Sequence, residues 1–302
     1  MGTNPTIDLQ QLLAGAQLPA LPQSAIRLLE LSQNPDNGPS EFAVPIESDP
    51  GLTGQVLRFV NSSYFGFVQE ISNIKLAITL VGIRTIKNFA LWSAVFSLMP
   101  NPKCGPFDLK RLWQDSLRRA LFARRIGKIL GLAEAEELFA AALLQDMAVP
   151  LLAKEMPAEY QSLLDARCGG AVRLSTLEQE QFGWTHAEAG AVMARGWKLP
   201  ESFAVMIEDH IRLEQPSGAT GDPGKTATAL AALLPSTCDV QWSERKEFTS
   251  AYSALVSADA PKPAEIFAAI DQDFQEFAPV LKLAVPARSL VDSLEASIKV
   301  NA

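Results

Sequence analysis

Few side chains in this sequence could hold a catalytic metal ion. The chain has only two histidines, His186 and His210, and its polar pair Gln145-Asp146 follows the apolar helical run AALL. Imidazole and carboxylate groups are the usual protein ligands of catalytic divalent metals, whereas the neutral amide of Gln145 is a poor one. Two ions would need more ligands than the chain supplies. The ligands for one ion would be Asp146, His186, His210 and either Asp115 or Asp209.

Structural roles explain the same residues more simply. His186 lies in the first turn of a predicted helix, directly after the capping residue Thr185. His210 lies near a helix C-terminus, where a positive charge is favoured. Gln145 and Asp146 follow a helix, where their side chains would bind the helix end and neighbouring side chains. We therefore predict that the chain has no catalytic residue, no bound metal and no cofactor.

A second group of charged side chains lies on one predicted helix. Arg111, Arg118, Arg125 and Lys128 share one side of its helical wheel. This side could bind an acidic partner or a small anion, and Arg118 and Arg125 are the candidate anion-binding residues. The alternative, which we favour, is a solvated face whose arginine stems lie along apolar surface.

Composition argues against nucleic acids and membranes as partners. The chain has 26 basic and 34 acidic residues, a net charge of −8, whereas phosphate contacts need an excess of basic side chains. The longest apolar stretch, residues 76–99, contains Arg84 and Lys87 and is too polar to span a membrane. The three cysteines form no CxxC pair, and the N-terminus lacks the pattern of a signal peptide. We therefore expect a cytoplasmic protein.

The elements that must position these side chains are predicted to be helices. Asp49-Pro50 is typical of an N-cap followed by proline in the first turn, and Thr185–Glu188 is a capping box. No long alternation of apolar and polar residues indicates a strand. The sequence therefore predicts an all-α fold. Proline and glycine indicate a loop over residues 213–225, and a helical extension follows over residues 226–302.

Three blocks in a fixed order carry a family resemblance. They begin at residue 18 and read LPALPQSAIRLLELSQNPD, ESDPGLTGQVLRFVNSSYFGF and ISNIKLAITLVGIRTIKNFAL. The chain resembles the HDOD domain, an HD-related output domain of bacteria, and the similarity continues to about residue 212. It implies a multi-helical domain over residues 1–212, with an N-terminal helical half (18–100) packed on an HD-like half (105–212). We expect residues 226–302 to pack on the HD-like half or to mediate dimerisation.

The resemblance also bears on the metal ligands. HD phosphohydrolases use a His-Asp doublet and further histidines, and the alignment of motifs leads us to expect histidine at positions 115 and 145. We interpret five residues as degenerate remnants of such a site: Asp115, Gln145, Asp146, His186 and His210. The chain departs from the family at Pro45, where a helix usually continues, and proline should end or kink that helix.

The resemblance implies a function in signalling. We expect a non-catalytic bacterial signal-transduction module that acts by binding other signalling proteins and that could form a homodimer. Two alternatives remain open. One is a sensor of a small phosphorylated ligand such as a cyclic dinucleotide, and the other is a residual metal-dependent phosphohydrolase.

Overall fold

The fold is all-α, as predicted. The computed structural model describes residues 7–16, 18–213 and 222–299, and every regular element in those ranges is a helix. In the same ranges, no helix is both long and apolar enough to cross a membrane. The helices are α1 (Leu9–Gly15), α2 (Gln23–Leu31), α3 (Pro39–Glu47), α4 (Pro50–Val60), α5 (Ile74–Val81), α6 (Ile83–Leu98), α7 (Leu109–Ile129), α8 (Ala135–Leu144), α9 (Val149–Glu155), α10 (Pro157–Ala166), α11 (Leu174–Phe182), α12 (His186–Gly196), α13 (Glu201–Asp209), α14 (Pro223–Ala232), α15 (Arg245–Leu255), α16 (Pro263–Phe277), a 3-10 turn (Ala278–Leu281) and α17 (Leu290–Lys299).

The chain divides into two compact units. Residues 20–98 and 272–285 form the smaller unit, and the larger unit contains the remaining described residues. Helices α14, α15 and α17 belong to the same unit as α7 to α13, whereas the end of α16 and the 3-10 turn belong to the smaller unit. Residues 226–302 are therefore not a compact body of their own.

The loop predicted over residues 213–225 extends too far. Residues 214–221 lie outside the described part of the chain, but α14 begins at Pro223. The Asp222 side chain caps this helix by accepting the backbone N–H of Gly224 at 2.8 Å. Proline in the first turn gives up no hydrogen bond, because that N–H has no partner within the helix. The Pro-Gly pair therefore opens a helix rather than ending a loop.

Capping and turn residues of the smaller unit act as the sequence indicates. Asp49 caps α4 by accepting the Leu52 N–H at 3.0 Å. Beyond the end of α4, Asn61 donates to the carbonyl of Ile71 at 2.8 Å and accepts its N–H at 2.7 Å. This pair of bonds closes the turn that follows α4 and explains its asparagine.

Pro45 does not end its helix, which was one of the two predicted effects. Helix α3 continues through Pro45 to Glu47, and the proline ring is buried. The missing donor leaves the carbonyl of Glu41 without its helical bond, and only two helical residues follow Pro45. Hydroxyl groups also bind the nearby carbonyls, since Ser48 donates to the oxygen of Pro45 at 2.9 Å and Thr53 to that of Ile46 at 2.7 Å.

Helix α7 is the central element of the larger unit and lies against α8. The contact is closest at Gly127, where an added Cβ atom would lie 2.9 Å from Leu138 and 3.2 Å from the backbone of Ala135. Asp115 and Arg119 lie one turn apart on α7, and Asp146 follows the end of α8. The approach of the two helices therefore sets the distance between these charged side chains.

Gly127→Ala should destabilise the protein by about 1–3 kcal/mol, because the new methyl group overpacks the contact between α7 and α8. Gly54→Ala is the matched control in α4, where the nearest atom to the added Cβ is the flexible end of Arg58 at 3.4 Å. This change should instead stabilise the helix by about 0.5–1 kcal/mol. Urea unfolding of both variants checks the prediction. Equal effects of the two substitutions would show that the α7–α8 contact is not close-packed.

Arg118 does not lie on a solvated face, contrary to the interpretation that we favoured. Its side chain is buried, its Nη2 donates to the carbonyl of Arg288 at 2.7 Å, and Asp271 lies 3.6 Å away. Asp271 also accepts the N–H of Leu290 at the start of α17. Arg118 thus holds residues near the C-terminus against α7. Arg125 is half-buried and does not line the pocket described below.

Candidate functional site

Three of the five predicted remnant residues meet in the larger unit. Asp146 lies in the turn after α8, His186 is the first residue of α12, and His210 follows α13. All three are buried. The His186 Nε2 lies 3.3 Å from the Nε2 of His210 and 3.3 Å from Asp146 Oδ1, and the Nε2 of His210 lies 3.6 Å from that same oxygen. In the part of the chain that the structure describes, no other group of carboxylates, imidazoles and thiols is spaced to hold an ion.

Neighbouring groups orient both imidazole rings. Glu178 lies 2.6 Å from His186 Nδ1 and also accepts the backbone N–H of His186 at 2.9 Å. Tyr160 donates its hydroxyl to the other oxygen of Glu178 at 2.6 Å. The His210 Nδ1 lies 2.6 Å from the carbonyl of Ile207 and donates to it. The Nε2 atoms of both histidines therefore face Asp146.

The charges of this cluster balance without a metal. Burial opposes the charged form of His186, but the Glu178 and Asp146 carboxylates outweigh it and raise the pKa of His186 to about 10. Burial lowers the pKa of His210. Burial opposes ionisation of Asp146, but the charge of Arg119 and the hydrogen bond from protonated His186 hold the pKa of Asp146 well below its ordinary value. His186 is therefore protonated and His210 neutral at neutral pH.

Arg119 is a site residue that the sequence analysis did not identify. Its guanidinium group forms a buried ion pair with Asp146. The predicted remnant Asp115, one turn earlier on α7, instead accepts the backbone N–H of Thr237 at 2.7 Å, and burial raises the pKa of Asp115. A positively charged group thus lies on the carboxylate that a metal would need.

Gln145 does not have the role that the sequence suggested. Its side chain is fully buried, and neither its amide oxygen nor its amide nitrogen has a hydrogen-bond partner among the described residues. Asp146, by contrast, contacts Arg119 and both histidines, in agreement with the structural interpretation. Of these two adjacent residues, Asp146 is therefore bound by charged neighbours, whereas the Gln145 amide has no hydrogen-bond partner among the described residues.

The spacing of the three site residues fits one metal ion but not two. A tetrahedral ion with ligand bonds of about 2.0–2.1 Å keeps its ligand atoms about 3.3–3.4 Å apart, close to the distances among Asp146, His186 and His210. The bond from Glu178 to His186 also resembles the contacts that orient metal-bound histidines. Among the described residues no second group of side chains is spaced to hold another ion, and the charge of Arg119 would repel one.

A polar pocket extends from this cluster. Besides Gln145, Asp146 and the two histidines, four arginines line it: Arg111, Arg119, Arg167 and Arg173. Arg118 and Arg125, which the helical wheel favoured, are not among them.

The sequence held little sign of the two site residues that it did not identify. Asp115 and Arg119 are four residues apart, and this spacing was the one sequence signal for Arg119. Glu178 precedes His186 by eight residues across a glycine turn, and nothing in the sequence indicated it.

Comparison with known proteins agrees with this architecture. The family model of the HDOD domain matches residues 18–213. An uncharacterised protein of Treponema pallidum (strain Nichols) is 25% identical over 197 residues, which are 65% of this chain and 38% of that protein. The matched region thus spans well under half of that relative.

Two solved structures show the same fold. An HDOD domain protein of unknown function from Geobacter sulfurreducens superposes with a TM-score of 0.65 at 19% identity, over 96% of this chain and 93% of that one. A proposed phosphohydrolase from Shewanella amazonensis SB2B gives a TM-score of 0.62 at 22% identity, over 94% and 97% of the two chains. At these identities, the likeness concerns the fold alone.

Proposed function

Because the chain belongs to the HDOD family, which is related to the HD phosphohydrolases, we propose that it is a non-catalytic bacterial regulatory module that binds other signalling proteins. One observation carries the non-catalytic part of this proposal. Arg119 and protonated His186 already neutralise Asp146, so that the cluster is stable without a divalent cation. A metal would have to displace a proton and overcome the charge of Arg119.

Exposed apolar side chains of the smaller unit support a role in protein binding. Val44 on α3 is 65% exposed, and Leu76 and Leu80 on α5 are 45% and 48% exposed. Helices α3 and α5 pack against each other, so these side chains lie on neighbouring elements. Groups of exposed large apolar residues are typical of interaction surfaces.

The binding proposal is tested by quantitative affinity purification from the source organism, followed by titration of the purified candidate partner. We expect the change Leu76→Ser together with Leu80→Ser to weaken this binding at least about tenfold, because each removes an apolar contact of about 1–2 kcal/mol. Val240→Ser is the control, since Val240 is 73% exposed but lies in the larger unit. Binding that is unchanged in the double variant would exclude this surface.

The non-catalytic proposal predicts no metal-dependent hydrolysis. With added Mn²⁺, Mg²⁺ or Zn²⁺, wild-type protein should hydrolyse nucleoside phosphates and cyclic dinucleotides no faster than the triple variant Asp146→Asn, His186→Gln, His210→Gln. Activity that persists in the triple variant would come from a contaminating enzyme. Activity that the triple variant lacks would refute the proposal.

The spacing of Asp146, His186 and His210 favours one second candidate, a residual hydrolase with a single metal ion. These residues would hold the ion, which would polarise a phosphoryl oxygen and acidify a bound water. We expect instead that purified protein contains no stoichiometric transition metal, because an ion would have to displace the proton of His186 and bind beside the charge of Arg119. Elemental analysis that finds one iron, manganese or zinc per chain would favour the hydrolase.

A further inference from the structure

The side chain of Gln145 lacks the partners that a buried amide needs. Both its oxygen and its nitrogen are enclosed, and within the described ranges neither has a hydrogen bond. More than nine-tenths of buried polar groups in folded proteins are paired, since an unpaired one loses its hydration without compensation. Gln145 also lines the polar pocket, next to Asp146 and the two histidines. A ligand in this pocket could supply both a donor and an acceptor.

The arginines of the pocket differ in how firmly they are bound. Arg167 donates to both oxygens of Asp239 at 2.9–3.0 Å. Arg119 pairs with Asp146 through one terminal nitrogen, but its Nε has no hydrogen-bond partner in the described part of the chain. Arg173 is bound less firmly, because the nearest carboxylate oxygen to its guanidinium group, on Glu244, lies 3.7 Å away. No hydrogen bond of its guanidinium group is present among the described residues. Most of its five donors therefore remain available to a ligand.

A bound anion would also stabilise the charged form of Arg173. Its side chain is 21% exposed, and burial, together with the nearby charge of Arg119, lowers the pKa of its guanidinium group. Asp146 already pairs with Arg119, whereas the nearest carboxylate oxygen to Arg173 lies 3.7 Å away, so a bound anion would supply the short bonds that Arg173 lacks. The planar guanidinium forks of arginine match the oxygens of phosphate and carboxylate groups.

We infer that this pocket binds a small phosphorylated molecule, with its phosphoryl group held by Arg173, Arg119 and the amide of Gln145. A phosphoryl group suits Gln145 better than a carboxylate does. The Nε2 of Gln145 can donate to either anion, but its Oε1 needs a donor, which an ionised carboxylate lacks. A phosphate monoester has a second pKa near 6 and retains a proton part of the time. The inference rests on the proposed function in one respect, since the ligand is bound and not hydrolysed.

Calorimetric titration tests this inference on the full chain after treatment with a chelator. The probes are inorganic phosphate and adenosine 5′-monophosphate, with adenosine and malonate as controls that lack a phosphoryl group. We expect binding of at least one phosphorylated probe. We expect neither adenosine nor malonate to bind at the same concentrations.

Two substitutions localise the binding. Arg173→Gln should weaken it at least about tenfold, as expected for the loss of a charged hydrogen bond, and Arg173→Lys should have an intermediate effect. Gln145→Leu should also weaken binding, and it should raise the thermal midpoint of the ligand-free protein because it removes an unpaired buried amide. A merely structural glutamine would not combine these two effects. Arg195→Gln is the control, because Arg195 is exposed and pairs with Glu201 and Glu208.

Each outcome separates the two proposals. If no phosphorylated probe binds, or if Arg173→Gln and Gln145→Leu bind as wild-type protein does, the inference is refuted and the non-catalytic module is unaffected. Malonate binding as tight as that of phosphate would refute the assignment to a phosphoryl group. If a probe binds at the pocket and is then hydrolysed, the site is confirmed and the non-catalytic function fails.

Discussion

Arg119→Met should destabilise the folded protein by roughly 3–5 kcal/mol, because it leaves the buried carboxylate of Asp146 without its cationic partner. Both side chains of the pair are largely enclosed, with exposed fractions of 13% and 9%. Water cannot replace the lost partner at such a site. Urea unfolding in phosphate-free buffer, without ligand, measures the change.

Two further variants show whether the unpaired charge is the cause. Adding Asp146→Asn to Arg119→Met removes the charge, and the double variant should recover much of the lost stability. Arg195→Met breaks an exposed ion pair, where the arginine side chain is 40% exposed, and should change the free energy of unfolding by at most about 1 kcal/mol. If Arg119→Met has an effect as small as that of Arg195→Met, the cluster does not depend on Arg119 for its charge balance.

The free energy of unfolding of chelator-treated protein should fall markedly as the pH rises from about 6.5 to about 10. The pKa of His186 is about 10 in the folded protein, against 6.5 for the ordinary side chain. A group whose pKa is raised by folding contributes stability that is complete below its unfolded pKa and is lost as the pH passes its folded pKa. At 1.36 kcal/mol per unit, this difference corresponds to roughly 5 kcal/mol as an upper bound.

A matched variant isolates the contribution of His186 from that of other groups that titrate at high pH. Glu178→Gln removes the nearest carboxylate, so the folded pKa of His186 should fall and the stability profile should become flatter above pH 7. Unfolding measured in urea across the same pH range gives both profiles. Parallel profiles would show that Glu178 does not hold the proton on His186. A metal bound to His186 would produce the opposite trend, since metal affinity rises as the imidazole loses its proton.

Local sequence patterns predicted the helices well because their causes are local. The cap at Asp49 and the capping box at Thr185–Glu188 both form, since each needs only residues three positions apart. Pro45 is the exception. It removes only the hydrogen bond to the carbonyl of Glu41, and whether the helix continues despite that loss depends on tertiary packing, in which the Pro45 ring is buried.

The arginines of α7 show where a helical wheel fails. It correctly places Arg111, Arg118 and Arg125 on one side, but it contains no information about what covers that side. Arg118 is buried because Asp271 and the carbonyl of Arg288 reach it from the C-terminal part of the chain. The neighbouring Arg119 points to Asp146 instead. The wheel therefore identified the helix and one arginine of the pocket, Arg111, but not Arg119.

The amino-acid sequence was sufficient to establish the helical class, the HDOD family and the shortage of histidines, because propensity, caps, motifs and composition do not depend on distant contacts. It could not establish the state of the site. Glu178 and Arg119 reach His186 and Asp146 only through packing of separate helices, and Gln145 becomes an unpaired buried amide in the same way. Burial strengthens the interactions among these groups, so the fold decides whether a proton, a metal or a ligand satisfies them.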